Sequence, residues 1–362
     1  MQWDPDIPFN DLPALPPRID EIETKELLKL CTRARVSLEG LRQAVELIPN
    51  QALLIYTIPI LEAKASSEIE NIVTTTDALF KYLEKPQGAD PATKEALMYR
   101  TALFNGLDSL KTCPLSLRTA RTVCSVLRGT DVDVRKIPGT YIGNSSVGSV
   151  IYTPPSGENV IRQKMAEWEQ FINTPTELDP LIVMALSHYQ FEAIHPFSDG
   201  NGRTGRVLNI LFLVQEGLLD LPILYLSRYI IKNKADYYLK LRNVTAEGSW
   251  HPWIDFMLNA VIDTSNWTKN KVLQIRKLEQ ETIELLKNAP ETKKIYSREL
   301  VDLIFSLPYI RIQNLVENGI AKRQAASKYL KCLAERGVLI EAVTTKEKLF
   351  INHKLLDLLT SE

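Results

Sequence analysis

The chain has 362 residues, 45% of them hydrophobic and 24% charged, which is the composition of a soluble globular protein and excludes a disordered or fibrous one. Its 43 basic residues almost balance its 44 acidic residues, so no chain-wide positive field draws it to nucleic acid or to a membrane. This length exceeds that of one usual core and predicts two or three domains.

The cysteines and the apolar runs predict the compartment. The cysteines show neither a C-x-x-C pair nor another metal spacing, which favours a reduced protein. The start of the chain lacks the basic and apolar regions of a signal peptide. The longest apolar runs, Leu181–Leu186 and Ile210–Val214, are too short to cross a bilayer. We therefore expect a cytoplasmic protein without a membrane partner. The cysteines are Cys31, Cys113, Cys124 and Cys332.

An extended arm followed by helices is predicted for the first part of the chain. Residues 1–18 are rich in proline, which predicts an arm on the surface, or else disorder. From Asp20, a candidate N-cap, apolar residues recur every three or four positions to about Leu47, which is the period of a helix. Further helices are predicted at 51–67, 75–85, 93–110 and 115–128.

The central part of the chain combines a predicted hairpin with more helices. Residues 136–160 are rich in glycine, proline and β-branched residues. Gly139–Ile142 and Val150–Thr153 are candidate strands on either side of Gly143–Gly148, which predicts a β-hairpin. Helices are predicted to follow at 160–171, 180–193, 203–217, 234–245 and 252–261, and a long polar helix at 264–288.

A separate unit is predicted at 290–362. Pro308 and Gly319 separate three helical stretches, and two short strands follow Gly337. Three helices with a hairpin predict a winged helix-turn-helix. The helices are predicted at 297–305, 310–318 and 322–336, and the strands at 338–342 and 348–352.

The segment His195–Arg206, with the sequence H-P-F-S-D-G-N-G-R-T-G-R, predicts an anion site between two helices. An apolar helix precedes it, and Pro196 prevents that helix from continuing. Gly200 and Gly202 permit the turn that must follow. A new helix begins near Arg203, so its free N–H groups and the positive end of its dipole point at the turn.

Four side chains in this segment predict chemistry on a magnesium-bound nucleotide. Arg203 and Arg206 lie on one side of the first helical turn, where both can contact phosphate. Asp199 beside an anion site would repel phosphate unless Mg²⁺ bridged them, so we expect it to be a metal ligand. His195 has the pKa suited to accept a proton near neutral pH, and it is the candidate base.

Two other interpretations of the glycines compete with a phosphate site. Gly200–Gly205 fits G-x-G-x-x-G, but a dinucleotide site needs a preceding strand and a βαβ unit, whereas a helix precedes this segment. A plain turn between packed helices with surface arginines is the structural alternative. A functional site is favoured over that alternative, because the histidine, the aspartate and both arginines all occur at the required spacing.

The segment matches H-x-F-x-[D/E]-G-N-G-R-x-x-R at every fixed letter, and it resembles the signature of the Fic family of nucleotidyl transferases. The resemblance implies a protein adenylyltransferase that moves AMP from ATP to a Ser, Thr or Tyr hydroxyl of a target protein, or of itself, and releases pyrophosphate. Phosphate-transferring relatives carry lysine in place of Gly202, so the intact glycine favours AMP transfer.

The same resemblance implies roles for individual residues. His195 would be the base and Asp199 would hold Mg²⁺, while Arg203 and Arg206 would take the β- and γ-phosphates. The Asn201 side chain and the backbone around it would cradle the α- and β-phosphates. The nucleotide-binding residues implied are Glu70, Asp199, Gly200, Asn201, Gly202, Arg203, Thr204, Gly205, Arg206, Asn233, Tyr237 and Tyr238.

Two pairs of residues near the motif leave alternatives open. Tyr237 and Tyr238 resemble the family's nucleobase-contacting segment, and a core aromatic pair is the alternative. His188 and Glu192 lie four residues apart with His195 nearby, a spacing that a metal triad could have. A satisfied helical histidine is the favoured interpretation, since no metal motif accompanies them.

An upstream segment resembles the family's inhibitory motif, [S/T]-x-x-x-E-[G/N]. The alternative is a helix end with an unrelated acid. The resemblance implies that Glu70 pairs with Arg206, which then cannot hold the γ-phosphate. In some relatives this glutamate hydrolyses the AMP–protein bond, so the resemblance also implies a reverse activity. The residues implied are Ser66, Glu70 and Asn71.

The predicted hairpin lies where the family places its target-binding flap. Such a flap holds a target peptide by strand addition, which suits a hairpin with an open edge. The flap residues implied are Tyr141, Ile142, Val150, Ile151 and Tyr152.

The C-terminal unit suggests a second functional hypothesis. Its third helix carries residues suited to contact phosphates or base edges, namely Lys322, Arg323, Gln324, Lys328 and Lys331. A solvated face or a dimer contact is equally open. The second hypothesis is a DNA-binding transcriptional regulator whose Fic core senses nucleotide without turnover. A homodimer is expected by analogy with the family.

Together these observations predict a mainly α fold, with a Fic-type helical core, a small β-hairpin flap and a C-terminal winged helix-turn-helix. The predicted division is an N-terminal arm and helical region with the inhibitory motif at 1–110, a catalytic core at 111–265, a linker helix at 266–289 and the winged unit at 290–362.

Overall fold

Helices form most of the chain in the computed structural model, which describes residues 3–48, 50–144, 149–343 and 348–361. The predicted mainly α class is confirmed. The helices before the C-terminal unit are α1 Ile19–Ile22, α2 Lys25–Glu46, α3 Ala52–Ile69, α4 Thr76–Tyr82, α5 Pro91–Leu110, α6 Leu117–Arg128, α7 Glu158–Asn173, α8 Pro180–Ile194, α9 Asn201–Gln215, α10 Leu226–Lys232, α11 Lys234–Glu247 and α12 Trp250–Asn288.

Helices α8 and α9 form the centre of the core. Nearly every residue of α8 is buried, and α9 is buried from Arg203 to Leu213. A helix that is apolar all round has to be surrounded by other helices. Helix α8 packs against α7, α9 and α12, while α9 packs against α3, α5 and α6. The motif loop connects these two central helices, so the surrounding helices fix its position.

The start of α2 differs from the prediction. Thr24, and not Asp20, is the N-cap, and its Oγ1 accepts a hydrogen bond from the Leu27 N–H at 3.3 Å. Asp20 lies within the short helix α1 and pairs with Arg18 on the surface. Ile22, the last residue of this short helix, is buried. The apolar pattern that predicted one helix therefore runs across two helices, which are separated at Thr24.

Helix α12 is continuous, so the prediction of two helices at 252–261 and 264–288 was wrong. It runs from Trp250 to Asn288 over 39 residues. Neither proline nor glycine occurs between Pro252 and Pro290, so nothing in the backbone interrupts the helix. Helix α10 was not predicted. Its seven residues are too few to show a clear apolar period.

The predicted hairpin is present. Strands β1 (Ile142–Asn144) and β2 (Ser149–Tyr152) pair antiparallel, with Ile142 opposite Tyr152 and an irregularity after Ile142. The Tyr152 hydroxyl donates to the Ala193 carbonyl at 2.7 Å, which fixes the hairpin to the end of α8. The first strand was predicted at Gly139–Ile142 but begins only at Ile142 and includes the first two residues of the predicted turn Gly143–Gly148. The rest of that turn, 145–148, lies outside the described residues.

The C-terminal unit contains the predicted helices and strands and three further elements. Its three-stranded sheet has the order β3, β5, β4, with antiparallel pairs. The added elements are α13, β3 and α17. The unit comprises α13 Pro290–Lys293, α14 Arg298–Ser306, β3 Tyr309–Ile310, α15 Ile312–Glu317, α16 Arg323–Glu335, β4 Ile340–Val343, β5 Lys348–Ile351 and α17 His353–Thr360.

The C-terminal unit packs on the helices that precede the core. Helix α14 contacts α3. Glu84, just after α4, accepts two hydrogen bonds from the Asn314 amide at 3.0 Å and pairs with Arg311 at 3.4 Å. Asn314 and Arg311 are both buried. These contacts place the C-terminal unit against the same segment that carries Glu70.

No helix in the described ranges combines the length and the apolar character needed to span a bilayer.

Candidate active site

The motif loop starts at the end of α8 with a strained residue. His195 has φ +50°, and its N–H donates to the Phe191 carbonyl at 3.0 Å. Phe197 is fully buried and anchors the loop, as predicted. The Asn201 side chain ties the loop together, because it accepts from the Phe197 N–H at 2.9 Å and donates to the Phe197 carbonyl at 2.8 Å.

This arrangement corrects the role predicted for the Asn201 side chain. Both of its polar atoms bind backbone, and Asn201 is buried, so the side chain faces the loop and not an open phosphate site. The backbone still offers donors. Thr204 N–H already donates to the Gly200 carbonyl, so the three N–H groups of 201–203 precede the first helical hydrogen bond. Gly200 has φ +83°, which permits this tight start.

His195 is held as a neutral imidazole. Burial, together with the positive charge of Arg135, lowers the pKa of His195 to about 4. Arg135 Nε donates to the His195 carbonyl at 2.8 Å, so it fixes the backbone of the residue as well. Within the described residues, His195 Nδ1 is buried and has no hydrogen-bond partner. A neutral ring near pH 7 can accept a proton without first losing one.

Asp199 is exposed and paired with a cation. It forms an ion pair with Arg128, and its other oxygen accepts the Gly200 N–H at 2.6 Å. No group of three or more candidate metal ligands occurs in the part of the chain that the structure describes. One carboxylate is nonetheless a fitting donor for Mg²⁺, which usually takes one or two protein carboxylates together with substrate phosphates and water. Such a cation would have to replace Arg128 as the partner of Asp199.

Arg206 is bound by the upstream segment, as the resemblance implied. Its Nη2 donates to Glu70 Oε1 at 2.7 Å and to the Ser66 carbonyl at 2.9 Å, and its Nε donates to Ser66 Oγ at 2.8 Å. The Arg206 side chain is 1% exposed, whereas that of Glu70 is 34% exposed. The guanidinium is therefore buried and fully engaged by the end of α3. Asn71 follows with φ +62° and reverses the chain after the helix.

Arg203 differs from Arg206 in its partner. Its Nη1 pairs with Glu95 of α5 at 2.7 Å, and the side chain is 3% exposed. Glu95 was not singled out from the sequence, because a glutamate in a helix 108 residues away carries no local signal. An open phosphate site at Arg203 would require this ion pair to open.

Two glycines of the motif allow side chains to approach α9 closely. A Cβ at Gly202 would lie 2.4 Å from Glu70 Oε1 and 3.1 Å from Arg206 Nη1. A Cβ at Gly205 would lie 2.4 Å from Glu192 Oε1. Gly202 thus leaves room for the Glu70–Arg206 pair, while Gly205 lets α9 pack on α8.

Thr204 and Gly205 do not face an open site. Thr204 is fully buried, beside the Cys124 thiol, and Gly205 is covered by α8. Burial alone does not overturn their assignment to nucleotide binding, because Arg206 is almost as buried as Thr204. That assignment stays a prediction.

A cavity of about 540 Å³ adjoins the Glu70–Arg206 pair. Glu70 and Asn71 contribute to its wall from the end of α3, and Tyr238 and Lys234 contribute from α11. Its other lining residues are Trp3, Ile69, Ile142, Gly143, Ile151, Tyr152, Tyr189, Glu192, Ala193, Leu241, Arg242 and Thr245. The cavity lies within the size range of small-molecule sites and contains both charge signs.

Tyr238 and Tyr237 have opposite environments. Tyr238 is 42% exposed and lines the cavity. Tyr237 is 1% exposed, and its hydroxyl lies 2.8 Å from His188 Nε2 among Trp253 and Phe256. The core alternative is therefore correct for Tyr237. Asn233 uses its amide to donate to the Tyr229 carbonyl at 2.9 Å and does not line the cavity.

His188 and Glu192 do not form a metal site with His195. His188 stacks on Trp253 and its Nε2 bonds to Tyr237, so it is a core histidine, as favoured from the sequence, although its Nδ1 has no hydrogen-bond partner among the described residues. Burial lowers the pKa of His188 to about 3. Glu192 points toward Gly205 and lines the cavity, and burial raises its pKa to about 7.

The hairpin residues face two directions. Tyr141 is 64% exposed and Ile151 is 41% exposed, so both are available to a partner. Ile142 and Ile151 also border the cavity, while Val150 is half-buried. Tyr152 is buried against α8, so it anchors the hairpin and does not present a target-binding side chain.

A larger cavity, of about 1110 Å³, lies elsewhere, between the ends of α5, α7 and α9. It contains no residue of the segment His195–Arg206. The smaller cavity also lacks residues of that segment, but it is the relevant one, because Glu70, the partner of Arg206, lines it. Volume alone does not identify a site of chemistry.

Three residues that shape the site were not singled out from the sequence. Arg128 pairs with Asp199, and Arg135 holds the His195 backbone. Glu62, on α3 one turn before Ser66, is buried and accepts hydrogen bonds from Ser227 N–H at 2.8 Å, Ser227 Oγ at 2.5 Å and Tyr99 Oη at 3.1 Å. A glutamate within an apolar helical stretch was the available clue to Glu62.

Three family models match consecutive parts of the chain. "Fic/DOC family N-terminal" matches residues 28–108, and "Fic/DOC family" matches 118–213. "Protein adenylyltransferase SoFic-like, C-terminal domain" matches residues 278–355. The central match includes the whole segment His195–Arg206, and the first includes Ser66–Asn71. The three matches follow the order of the predicted parts.

Curated relatives are similar over part of the chain. "Protein adenylyltransferase fic-1" of Caenorhabditis elegans is 33% identical over 108 residues, 29% of this chain and 20% of the relative. "Protein adenylyltransferase Fic" of Nematostella vectensis is 36% identical over 107 residues, 29% of this chain and 23% of the relative. The matched segment therefore spans about a fifth of the length of these curated relatives.

Solved structures share the fold at low sequence identity. A Fic family protein from Desulfovibrio desulfuricans G20 has a TM-score of 0.52 at 19% identity, with 91% of this chain and 96% of that chain covered. Fic-1 (residues 134–508) from C. elegans has a TM-score of 0.50 at 19% identity, with 70% of this chain and 74% of that chain covered. At these identities the likeness supports a shared fold.

Proposed function

This chain belongs to the Fic/DOC family, and we propose that it is a protein adenylyltransferase that transfers AMP from ATP to a hydroxyl side chain of a target protein or of itself. The observation that carries the proposal is the motif loop, in which a neutral His195 and a helix N-terminus with free N–H groups flank Asp199. Curated relatives that are similar over 29% of this chain are named protein adenylyltransferases.

His195 acts as the general base in this proposal. The target hydroxyl donates its proton to the imidazole, and its oxygen attacks the α-phosphorus of ATP. The bond from the α-phosphorus to the bridging oxygen breaks, AMP stays on the hydroxyl oxygen and pyrophosphate leaves. The low pKa of His195 keeps the ring unprotonated in the resting site, and Arg135 fixes its backbone.

The backbone N–H groups of 201–203 and the arginines hold the phosphates. Helix N-termini bind anions through such groups. Asp199 is the residue that would hold Mg²⁺, which supplies charge neutralisation at the phosphates when bound. Arg128 is positioned to release Asp199 for that role and to face the phosphates itself.

Glu70 keeps the resting site inactive in this account. It occupies Nη2 of Arg206, which the γ-phosphate would otherwise take, and Ser66 occupies Nε. A γ-phosphate and the Glu70 carboxylate cannot share one guanidinium edge. We also propose that Glu70, which lines the cavity, supports hydrolysis of the AMP–protein bond as a reverse activity.

The target docks at the hairpin in this proposal. Exposed Tyr141 lies just before β1 and exposed Ile151 lies on β2, and this hairpin borders the cavity that Glu70 lines. An extended peptide that adds to a hairpin edge uses backbone hydrogen bonds and therefore tolerates many sequences. The reactive hydroxyl of such a peptide would be placed next to His195.

Mass spectrometry of the protein after incubation with ATP and Mg²⁺ tests this function. The Glu70→Gly variant should gain a mass of one AMP on a hydroxyl side chain of itself or of an added target. The Glu70→Gly/His195→Ala variant should gain none. A mass increase of one phosphate instead of one AMP would rule out adenylyl transfer.

DNA binding by the C-terminal unit is the second candidate function. Lys322, Arg323, Lys328 and Lys331 are exposed along α16, on one element of a unit with the elements of a winged helix-turn-helix. Cations on one exposed helix suit contacts with duplex phosphates. This candidate does not exclude the first, because α16 lies on a separate unit from the motif.

A further inference from the structure

The N-terminal arm, residues 3–18, is attached to the core by hydrogen bonds along its length. Phe9 N–H donates to the Thr153 carbonyl at 3.0 Å, and Thr153 Oγ1 donates to the Pro5 carbonyl at 2.6 Å. Further along, the Ser156 N–H donates to Asn10 Oδ1 at 2.8 Å. The arm therefore follows the end of β2 as an ordered strap, which its proline content allows.

The other end of the arm is also fixed. Leu12 is 3% exposed, and its carbonyl accepts from Lys164 Nζ at 3.2 Å. The Pro13 carbonyl accepts from Gln190 Nε2 of α8 at 3.2 Å. Contacts with the hairpin base, α7 and α8 thus fix the path of the arm, and this path carries Trp3 to the cavity beside the Glu70–Arg206 pair.

Trp3 has an environment that suits a ligand ring. Its indole lies 5.8 Å from the Arg242 guanidinium, and both residues line the cavity together with Tyr238. The Trp3 Nε1–H is buried and has no hydrogen-bond partner among the residues that the structure describes. A buried donor without an acceptor is costly, so an acceptor supplied by a ligand would be favourable.

We propose that Trp3 is part of the nucleotide site and binds the aromatic base of the nucleotide, which makes the N-terminal arm one wall of that site. This inference rests on the proposed function, since the cavity takes ATP in that account. The base would contact the Trp3 and Tyr238 rings, and a ring nitrogen would accept the indole N–H. Aromatic residues recognise bases in this way because every base has a π-face.

The placement separates two halves of the ligand. The base lies with Trp3, Tyr238 and the apolar Leu241, and the phosphates extend toward Glu70 and the motif loop. Positive Arg242 is on the base side of the cavity, where it stacks on Trp3 and does not need to reach a phosphate. Trp3 is a binding residue in this proposal and takes no part in proton transfer.

Calorimetric titration of ATP and Mg²⁺ into the full chain tests the proposal, with Glu70→Gly as the parent so that Arg206 is free. Adding Trp3→Ala should weaken ATP binding about fivefold to tenfold through the loss of stacking. Adding Trp3→Phe should recover most of that loss, because the ring remains. Quenching of tryptophan fluorescence by ATP should decrease in both Trp3 variants.

Trp267→Ala is the matched control. Trp267 is also half-buried, also has a buried Nε1 without a partner in the described ranges and also contacts cations, Arg228 and Lys271, at 5.0 Å. It does not line the cavity. The Trp267→Ala substitution should therefore leave ATP affinity unchanged. Melting temperatures of the Trp3 variants should stay within a few degrees of the parent, as expected of a surface arm.

The outcomes separate the two proposals. If the parent binds ATP and Trp3→Ala binds it equally well, the role of Trp3 is wrong while the proposed function stands. If the parent itself does not bind ATP, the proposed function fails and the role of Trp3 fails with it. A fivefold to tenfold loss in Trp3→Ala, with no loss in Trp267→Ala, supports the proposal.

Discussion

Glu70 Oε1 accepts a hydrogen bond from Arg206 Nη2 at 2.7 Å, across 136 residues of chain. The pair joins the C-terminal end of α3 to the second turn of α9, close to the backbone that we propose binds phosphate. Arg206 is almost completely buried, so removal of its partners would leave a buried charge uncompensated, which costs more than the loss of a surface ion pair. The contact gives the predicted inhibitory motif a defined physical partner.

Ser66 supports this pair and gives the first prediction. Ser66→Ala removes the acceptor for Arg206 Nε, and we expect a loss of about 1.5–3 kcal/mol in the free energy of unfolding. Basal AMP transfer should also rise, because Arg206 becomes easier to release. Urea denaturation and a transfer assay measure the two effects. Ser67→Ala is the control, since Ser67 is equally buried but its Oγ has no partner among the described residues. Equal effects of the two substitutions would argue against the Ser66 contact.

The charge state of His195 gives a second prediction. The pKa of His195 is lowered to about 4, so the ring should stay neutral as the pH falls below the usual histidine value of about 6.5. In the Glu70→Gly variant, kcat/KM should therefore show no acid limb between pH 8 and about pH 5.5 that titrates as His195. Circular dichroism at each pH checks that the protein stays folded. An acid limb of kcat/KM that is centred at or above pH 6.5, and that does not arise from product release, would contradict the assignment of this pKa.

Buried Glu62 gives a third prediction, on stability. Burial, opposed by hydrogen bonds from Ser227 and Tyr99, raises its pKa from 4.5 to about 7. A carboxyl with a raised folded-state pKa stabilises the fold most fully below pH 4.5, and this contribution is lost as the pH rises through about 7.

Glu62→Gln isolates this effect, since the amide does not titrate. The wild type should lose about 2–3 kcal/mol relative to Glu62→Gln between pH 4.5 and pH 8, measured by urea denaturation at each pH. Glu281→Gln on the exposed part of α12 is the control, and its free energy of unfolding should depend on pH as that of the wild type does. Parallel stability curves for the wild type and Glu62→Gln would show that the carboxyl does not titrate in this range.

The exposed cations of α16 give a fourth prediction. If the C-terminal unit binds duplex DNA, Lys328→Glu/Lys331→Glu should weaken binding and reduce the slope of log affinity against log salt by about 2. Fluorescence anisotropy at several salt concentrations measures this slope. Lys277→Glu on α12, also exposed, is the control. Duplex binding with an unchanged slope in the double variant would place the contact elsewhere, and no binding by the wild type would remove this candidate function.

The sequence predicted the helices and the motif loop well, because their signals are local. Apolar period, Pro196 and the glycines at Gly200 and Gly202 determine where α8 ends and α9 begins. The Glu70–Arg206 contact was anticipated through the resemblance of two short motifs. Neither residue indicates the other by spacing, since they lie on different helices.

Other features of the site depend on tertiary packing, which a single sequence does not reveal. Tyr237 is buried against His188, whereas the adjacent Tyr238 lines the cavity. Neighbouring residues of a helix face different directions, so adjacency in sequence does not predict a shared environment. The Arg203–Glu95 pair and the Arg128–Asp199 pair join distant segments. The contribution of Trp3 to the cavity depends on the path of an arm whose sequence fitted disorder equally well.

The rate of AMP incorporation from ATP in the wild type, Glu70→Gly and Glu70→Gly/His195→Ala tests the central claim most directly. The account predicts a rate in Glu70→Gly at least about tenfold above the wild type, as expected for release of a charge-assisted hydrogen bond, and no incorporation in the double variant. Glu68→Gly, which removes the neighbouring glutamate paired with Lys64, should match the wild type. Equal rates in the wild type and Glu70→Gly, or incorporation that persists without His195, would contradict it.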